Sequence, residues 1–273
     1  MHKENRPLVS VIMATFNEPE KFISEAIPSI LDQTYSNIEL IIADDSTKEE
    51  TTAVIDKFAL KDNRVKVIRS KSRMGFVPAL NIGLRTAKGG YIARMDGDDI
   101  AVSDRFEQQI TYLESHPDID VLGGAMNVIN EHSEVTALRT YPKGGIKLLA
   151  WMSLRDPVGH PTVMFRRKIV EEGNIYDEYM NKGCEDTEFW FRLRNKGYKI
   201  QNLQIPLINY RITVDMADKR DRDNMANYIA RKKNFSWKYL PFDCLSLLSI
   251  KSRMALPSSI ISWLYSKENH QKY

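Results

Sequence analysis

The chain of 273 residues lacks several features that mark particular protein classes. It has only two cysteines, Cys184 and Cys244, too few for a disulfide framework, and no group of Cys and His residues has zinc-site spacing. Its longest uncharged stretch, residues 254–266, would form a helix of about 20 Å, shorter than the roughly 30 Å hydrocarbon core of a bilayer. Residues 1–7 are polar and lead directly into an apolar run. We therefore expect a reduced, cytoplasmic chain without a signal peptide or a membrane-spanning helix.

An excess of charge of one sign is also missing, because 39 Lys and Arg residues stand against 36 Asp and Glu residues, a net charge of +3. A dedicated nucleic-acid binder usually carries a strong basic excess, so this balance argues against a nucleic-acid partner. The composition, 42% hydrophobic and 27% charged, is ordinary for a globular protein and argues against a disordered one.

The first hundred residues alternate two hydrophobic periods. Short apolar runs typical of buried strands alternate with stretches whose apolar residues recur at helical spacing. The predicted strands are 9–14, 38–43, 65–68 and 91–95, and the predicted helices are 22–31, 48–60 and 76–87. This alternation predicts an α/β fold with a Rossmann-like, mostly parallel sheet and helices on both faces. Further on, the pattern predicts helices at 104–116 and 186–195 and strands at 121–130 and 162–165.

Polar and acidic residues follow three of the four predicted strands, at 15–18, 44–46 and 96–99. In an open parallel sheet, ligands bind beyond the carboxyl ends of the strands. Carboxylates this close repel one another unless a cation enters, and Mg²⁺ or Mn²⁺ takes oxygen ligands together with substrate phosphates. Each segment taken alone can also be a helix cap or a solvated turn.

Glycine-rich phosphate loops are absent, because neither Gly-x-Gly-x-x-Gly nor Gly-x-x-x-x-Gly-Lys occurs. The segment from Asp96 is no EF-hand either, since its sixth position is Ala101, where that loop requires Gly. A metal ion held by carboxylates is therefore the more plausible anchor for a diphosphate.

Six motifs, in this order along the chain, resemble the signatures of family-two glycosyltransferases. They are Val9–Asn17, Ile41–Ser46, Gly75 with Ala79–Asn81, Gly90–Ile92, Met95–Asp99 and Gly183–Arg192. The resemblance covers about residues 8–211 and is closest to bacterial transferases that extend lipid-linked O-antigen or exopolysaccharide units. It implies a GT-A fold.

The resemblance implies a nucleotide site at the ends of the first two strands. Ala14, Thr15 and Glu18 fall where relatives hold the nucleotide. Asp45, together with Asp44, falls where a carboxylate accepts a hydrogen bond from the uracil imide.

The resemblance also implies the metal and catalytic residues. Asp96 and Asp98 match the Asp-x-Asp motif that binds Mn²⁺ or Mg²⁺, with Asp98 as the direct ligand, and Asp186 falls at the catalytic base. In the loop where relatives have Asn-x-Gly this chain has Arg73-Met-Gly75, and either Lys71 or Arg73 can supply positive charge to the diphosphate. His160 allows two interpretations, a structural histidine or a contact with the donor phosphate or the acceptor.

The mechanism implied for such a family is a single displacement. A carboxylate must take the proton of the acceptor hydroxyl, and a helix N-terminus favours the ionised form of Asp186. We expect an inverting, metal-dependent transferase that moves a hexose or N-acetylhexosamine from a UDP-sugar to a lipid-diphosphate-linked saccharide.

Two other functions stay open at this point. A nucleotidyltransferase also uses a nucleotide sheet and a metal, although it would want a Gly-rich, basic loop where residues 15–18 are acidic and lack glycine. A non-catalytic nucleotide-sugar or glycan-binding module would have no reason to keep Asp96, Asp98 and Asp186 together.

The small net charge is a cancellation between two parts of the chain. Residues 219–273 contain 11 basic and 4 acidic residues, a net of +7, whereas residues 1–218 have a net of −4. Basic helices with aromatic and aliphatic faces suit an anionic membrane, while the alternative is that they pack on the catalytic domain. We expect a nucleotide-binding half at 1–99, an acceptor-binding half at 100–218 and a basic amphipathic tail at 219–273. Such a tail would attach the protein to the cytoplasmic face of the inner membrane.

Overall fold

The computed structural model describes residues 6–180, 183–212 and 224–255. In chain order its elements are β1 (Val9–Thr15), α1 (Glu20–Leu31), β2 (Ile38–Asp44), α2 (Glu49–Lys61), β3 (Val65–Ile68), α3 (Phe76–Thr86), β4 (Tyr91–Arg94), β5 (Ile100–Ala101), α4 (Arg105–Ser115), β6 (Val121–Ile129), β7 (Val135–Arg139), α5 (Gly145–Met152), β8 (Met164–Arg166), α6 (Lys168–Glu171), α7 (Glu185–Asn195), β9 (Ile200–Arg211), α8 (Asn224–Lys233) and α9 (Phe242–Ala255). Single 3₁₀ turns lie at His160–Thr162, Glu178–Met180 and Trp237–Tyr239.

The chain divides into two compact units. The first contains the residues up to Leu122 together with His160–Ile175, and the second contains Gly123–Gly159 together with the residues from Tyr176 onward. The boundaries predicted at residues 99 and 218 stay predictions.

The first unit is built on a parallel sheet in the order β3-β2-β1-β4. β8 pairs with β4 in the antiparallel direction, and the start of β6 pairs with β8 in the same way. Every residue of β1 and β2 is buried, so both faces of these strands are covered, as their continuous apolar runs predict. The expected α/β class and parallel sheet are confirmed.

The helices of the first unit pack closely on this sheet. α1 buries its apolar face, which consists of Phe22, Ile23, Ala26, Ile27, Ile30 and Leu31. α3 lies so close to β1 that a Cβ atom on Gly83 would stand 2.5 Å from the Ile12 Cγ2 atom. Packing of this kind fixes the strand ends, where the candidate site lies.

The second unit centres on α7. Its residues Phe189, Trp190, Phe191 and Leu193 are all buried. β6 continues into this unit and pairs antiparallel with β7, while the Asn127 side chain at its centre donates to Asn209 of β9 at 2.9 Å.

Helices α8 and α9 pack against α7 and α5 within the second unit. Two parallel hydrogen bonds of 2.7 and 2.8 Å join Arg194 of α7 to Asp243 of α9, and both side chains are buried. The Arg194 guanidinium also lies 4.2 Å from the ring centroid of Tyr239. The inner face of this pair of helices is therefore part of a packed core. Residues 219–223 and 256–273 of the predicted tail lie outside the described residues.

Several elements differ from the sequence prediction. The strand predicted at 162–165 is wrong at its start, because a 3₁₀ turn covers His160–Thr162 and β8 begins only at Met164. The prediction also lacks β7, α5 and β9. β9 gives no clear signal because its buried positions follow no alternation and polar residues and a proline interrupt its apolar run.

Candidate functional site

The ends of β1 and β2 lie side by side, because Thr15 pairs with Asp44 and Ala14 with Ala43 across the parallel ladder. The Asp44 carboxylate is buried and accepts hydrogen bonds from Thr15 Oγ1 at 3.1 Å, from the Ser46 amide at 2.9 Å and from Arg69 Nε at 2.7 Å. Charge-assisted hydrogen bonds such as the one from Arg69 are shorter and stronger than neutral ones. Asp44 thus fixes the two strand ends to each other.

The loop after β1 is locked to the loop after β2 by Asn17. This residue has φ 61°, the left-handed conformation that asparagine tolerates better than most residues. Its Oδ1 atom accepts from the amides of Thr47 at 2.8 Å and Lys48 at 2.9 Å, directly before α2 begins. The amide of Asn17 itself donates to Ser46 Oγ at 3.0 Å. Asn17 therefore holds the backbone just before α2 from a different loop, a contact that the sequence prediction lacks.

Asp45 faces the loop between β3 and α3. Its two carboxylate oxygens accept from the amides of Met74 at 2.8 Å and Gly75 at 2.6 Å. Gly75 has φ 86°, which a residue with a side chain rarely adopts. In the same loop the Arg73 guanidinium stacks 3.9 Å from the ring centroid of Phe16, which is 42% exposed. An aromatic ring, a cation and a carboxylate thus line this edge of the sheet.

Glu18 is an unusual carboxyl group. Its Oε2 atom accepts from the Phe16 amide at 2.7 Å. The pKa of Glu18 is nevertheless raised to about 7, chiefly by burial and also by the negative charges of Asp98 and Asp96, while the backbone hydrogen bonds oppose this rise.

Gly97 brings the acidic loop after β4 against the end of β1. A Cβ atom at this position would lie 3.1 Å from Thr15 Cγ2 and 3.4 Å from Glu18 Cγ. The three segments that the sequence analysis singled out therefore meet at one edge of the parallel sheet.

Three carboxylates form a cluster in the loop after β4. Asp96, Asp98 and Asp99 each place one oxygen so that all three lie within 4.8 Å of one another. Asp99 is fully buried, and the other two are half-buried. Oxygen donors alone, without His or Cys, suit Mg²⁺ or Mn²⁺ better than a softer metal. These residues fit the metal that the motif implies.

Two buried arginines stand behind this cluster. Arg94, the last residue of β4, forms an ion pair with Asp96 through both guanidinium Nη atoms, and its Nη1 atom lies 2.6 Å from Oδ2. Arg105 is fully buried and donates to the Arg94 carbonyl at 2.9 Å. Burial lowers the pKa of Arg105 to about 9, while the negative charge of Asp99 opposes this effect.

His160 lies in the first unit, in the 3₁₀ turn before β8. It is buried, and burial together with the positive charge of Arg94 keeps the pKa of His160 well below its ordinary value. The imidazole is therefore neutral near pH 7.

Asp186 belongs to the second unit and lies in the first turn of α7, beside Glu185 and Glu188. Its Oδ1 atom accepts from the amide of Thr187 at 2.7 Å. Three acidic residues in the first turn are favoured by the partial positive charge of the helix N-terminus, which stabilises the ionised carboxylate.

Two further residues of the second unit, Asp156 and Tyr141, interact with the first turn of α7. The hydroxyl of Thr187 donates to Asp156 at 2.6 Å. Burial raises the pKa of Tyr141 to about 12, and the charges of Asp156 and Asp186 add to this effect while Arg139 opposes it. Neither Asp156 nor Arg94 was predicted from the sequence. The available signal for Arg94 was a charged residue at the end of an otherwise apolar strand.

Comparison with protein families identifies the chain. The model of "Glycosyl transferase family 2" matches residues 10–173, more than half of the sequence. The chain belongs to this family. Membership confirms the resemblance and decides against the nucleotidyltransferase alternative.

Curated relatives cover most of the chain. "Uncharacterized glycosyltransferase MJ1057" of Methanocaldococcus jannaschii is 32% identical over 235 residues, 85% of this chain and 78% of the relative. "O-antigen biosynthesis glycosyltransferase WbnJ" of Escherichia coli is 34% identical over 75% of this chain and 80% of the relative. "UDP-Glc:alpha-D-GlcNAc-diphosphoundecaprenol beta-1,3-glucosyltransferase WfaP" of Escherichia coli is 33% identical over 75% of this chain and 77% of the relative.

Solved structures share the fold at low sequence identity. Staphylococcus aureus TarS superposes with a TM-score of 0.68 at 20% identity, and the match covers 92% of this chain and 44% of the TarS chain. A TarS fragment, residues 1–349, in complex with UDP-GlcNAc gives a TM-score of 0.66 and is covered to 74%. The mannosyltransferase PcManGT of Pyrobaculum calidifontis, in complex with GDP-Man and Mn²⁺, gives 0.69 at 16% identity over 98% of this chain and 82% of that chain. These likenesses confirm the GT-A fold.

Proposed function

We propose that this glycosyltransferase is an inverting, metal-dependent enzyme that moves a hexose or N-acetylhexosamine from a UDP-sugar to a hydroxyl of a lipid-diphosphate-linked saccharide. The observation that carries the proposal is the meeting of Glu18, Asp45 and the carboxylate cluster at the carboxyl edge of the parallel sheet. The relatives named for O-antigen biosynthesis and for a diphosphoundecaprenol acceptor support assembly of a bacterial surface polysaccharide.

The donor nucleotide is assigned to the ends of β1 and β2. Each Asp45 oxygen already accepts one backbone amide, and a carboxylate oxygen has a second lone pair with which to accept a uracil imide N–H. Ala14 and Thr15 supply backbone and hydroxyl groups at the same edge. Arg73 is placed to meet the negative charge of the diphosphate. The WfaP relative, described with a UDP-Glc donor, supports uridine rather than another base.

The metal site is assigned to Asp98, with Asp96 and Asp99 beside it. A bound Mn²⁺ or Mg²⁺ supplies Lewis-acid stabilisation of the leaving diphosphate. The neutral imidazole of His160 has one N–H group that can donate a hydrogen bond and one nitrogen that can accept one. Either group can contact the sugar nucleotide or the acceptor saccharide.

Asp186 is assigned as the catalytic base. Its carboxylate takes the proton from the acceptor hydroxyl while that oxygen bonds to C1 of the donor sugar. The bond between C1 and the diphosphate oxygen breaks in the same step, and the nucleotide diphosphate leaves with the electron pair. A single displacement of this kind inverts the configuration at C1.

The outer face of α8 and α9 is assigned to an anionic membrane that carries the acceptor. Within the described ranges every helix is too short or too polar to traverse a bilayer. Exposed residues of these two helices include Met225, Ile229, Lys232, Leu245, Leu248 and Lys251, and Trp237 and Lys238 are exposed in the 3₁₀ turn between them. Apolar side chains interleaved with lysines suit the headgroup region of anionic lipids. We place the protein accordingly at the cytoplasmic face of the inner membrane.

A donor panel tests the proposed reaction. The purified protein is incubated with Mn²⁺, with a synthetic lipid-diphosphate N-acetylhexosamine and with each of several UDP- and GDP-sugars, and the product is read by mass and by linkage. We expect one UDP-hexose or UDP-N-acetylhexosamine to give a single new linkage of inverted configuration. Transfer only from GDP-sugars, or with retained configuration, contradicts the proposal.

A further inference from the structure

Arg94 holds both oxygens of Asp96, one of the three carboxylates of the cluster. Its Nη1 atom lies 2.6 Å from Oδ2, and its Nη2 atom bonds Oδ1. The Arg94 side chain is 5% exposed and that of Asp96 26%. A two-point guanidinium–carboxylate pair in this setting is shielded from the salt screening that weakens surface pairs.

The side chains of Arg105 and Phe76 contact Arg94. Its carbonyl accepts from the fully buried Arg105, and its guanidinium lies 5.6 Å from the ring centroid of Phe76. Gln109, which also bonds Arg105, donates to the Thr162 carbonyl at 2.9 Å. Arg94 is therefore a buried residue with several contacts at the end of β4, not an exposed surface cation.

The Arg94 guanidinium and a divalent cation would both bind the carboxylate oxygens of Asp96. With Arg94 on Asp96, one of the three negative charges is neutralised before any ion arrives. A divalent cation that uses Asp96 must share these oxygens with Arg94 and meets its positive charge at close range.

We propose that Arg94 is a positioning residue that acts as an internal counter-ion of the cluster and competes with the divalent cation for Asp96. The nucleotide-free protein then binds the ion weakly, and the ion is held firmly once the diphosphate oxygens of the donor join its ligands. This inference rests on the proposed metal site at Asp98. Competition by Arg94 would make binding of the metal depend on binding of the donor nucleotide.

Direct Mn²⁺ binding to the nucleotide-free full-length protein tests this, with the free ion measured by electron paramagnetic resonance. We expect Arg94→Met to bind Mn²⁺ about tenfold more tightly than the wild type, because it removes one nearby charge and releases Asp96. The double variant Arg94→Met/Asp96→Asn loses that gain. Arg94→Lys keeps the charge and stays close to the wild type, and it serves as the folded reference if the methionine variant is destabilised.

Two controls separate the possible outcomes. Arg85→Met removes an exposed arginine on α3 and leaves the Mn²⁺ affinity unchanged. Asp98→Asn abolishes binding; if it instead binds like the wild type, the proposed metal site fails, and this inference fails with it. If Asp98→Asn loses Mn²⁺ binding and Arg94→Met binds Mn²⁺ no more tightly than the wild type, the role of Arg94 is overturned while the proposed metal site stands. A gain that survives in the double variant also overturns the role of Arg94.

Discussion

The hydroxyl of Thr187 donates a 2.6 Å hydrogen bond to the carboxylate of Asp156, and this contact ties the first turn of α7 to the segment that follows α5. Thr187 is buried, and its amide donates a hydrogen bond to the carboxylate of the neighbouring Asp186. The position of the proposed base therefore depends on a side chain that has no direct part in proton transfer.

Replacement of Thr187 by valine tests this dependence. Valine has nearly the same shape but no hydroxyl, so Asp156 loses a donor at a cost of about 1–3 kcal/mol in the free energy of unfolding. We expect turnover to fall roughly tenfold while the Kd for UDP stays unchanged, measured by transfer kinetics and calorimetry. Thr187→Ser, which keeps the hydroxyl, should retain most of the turnover. Equal turnover in the valine variant would show that the contact does not position Asp186.

Asp45→Asn tests the carboxylate that holds the loop before α3. An asparagine offers one acceptor oxygen in place of two, so either the Met74 or the Gly75 amide loses its partner. We expect the Kd for UDP to rise about tenfold, as measured by calorimetry, with a loss of about 1–3 kcal/mol in stability. The matched control is Asp56→Asn, which removes an exposed partner of Arg69 on α2. If the two variants bind UDP equally well, the proposed contact between Asp45 and the uracil ring is wrong.

The raised pKa of Glu18 makes a prediction about pH. Its folded-state pKa of about 7 lies above the ordinary 4.5, so between these values the folded protein binds more protons than the unfolded chain. The contribution of Glu18 to stability is therefore present below about pH 4.5 and is lost as the pH rises to about 7.

Glu18→Gln removes this titration and keeps an oxygen for the Phe16 amide. In metal-free buffer we expect the free energy of unfolding of the variant, relative to that of the wild type, to increase by about 1–3 kcal/mol as the pH rises from 5 to 8. Urea unfolding at each pH measures this difference. A difference between the two proteins that does not change with pH would show that Glu18 has an ordinary pKa.

A charge reversal tests the proposed membrane surface. Lys232 and Lys251 lie on the same side of the α8–α9 pair, since their Nζ atoms are 5.9 and 5.7 Å from the ring centroid of Tyr228. We expect Lys232→Glu/Lys251→Glu to reduce sedimentation with phosphatidylglycerol vesicles at least tenfold, given about 1 kcal/mol for each lysine near an anionic surface. The control Lys57→Glu/Lys61→Glu, on exposed positions of α2, should sediment like the wild type. Equal sedimentation of all three proteins removes the membrane assignment.

The sequence predicted the elements whose burial follows a simple period. β1 and β2 are buried on both faces and read as continuous apolar runs, and α1 shows its buried stripe directly. β9 could not be found in this way, because exposed Gln204 and Ile205 precede Pro206 in the middle of the strand. Its buried positions are set by contacts with distant segments rather than by its own pattern.

The acidic residues at the sheet edge were predictable because they follow strands of a parallel sheet, and the topology brings such strand ends together. Their partners were not. Arg94 pairs with Asp96 two residues away, and Asn17 accepts hydrogen bonds from amides 30 and 31 residues later. Contacts of this kind depend on the conformation of loops, which no hydrophobic period encodes.

One comparison of three proteins tests metal binding by Asp98 together with proton transfer to Asp186. UDP binding is measured by calorimetry with and without Mn²⁺, and sugar transfer is measured by product mass, in the wild type, Asp98→Asn and Asp186→Asn. We expect Asp186→Asn to keep Mn²⁺-dependent UDP binding and to lose transfer by about a thousandfold, whereas Asp98→Asn loses the Mn²⁺ dependence of UDP binding. Transfer at the wild-type rate in Asp186→Asn, or UDP binding that Mn²⁺ does not change in the wild type, would contradict these assignments.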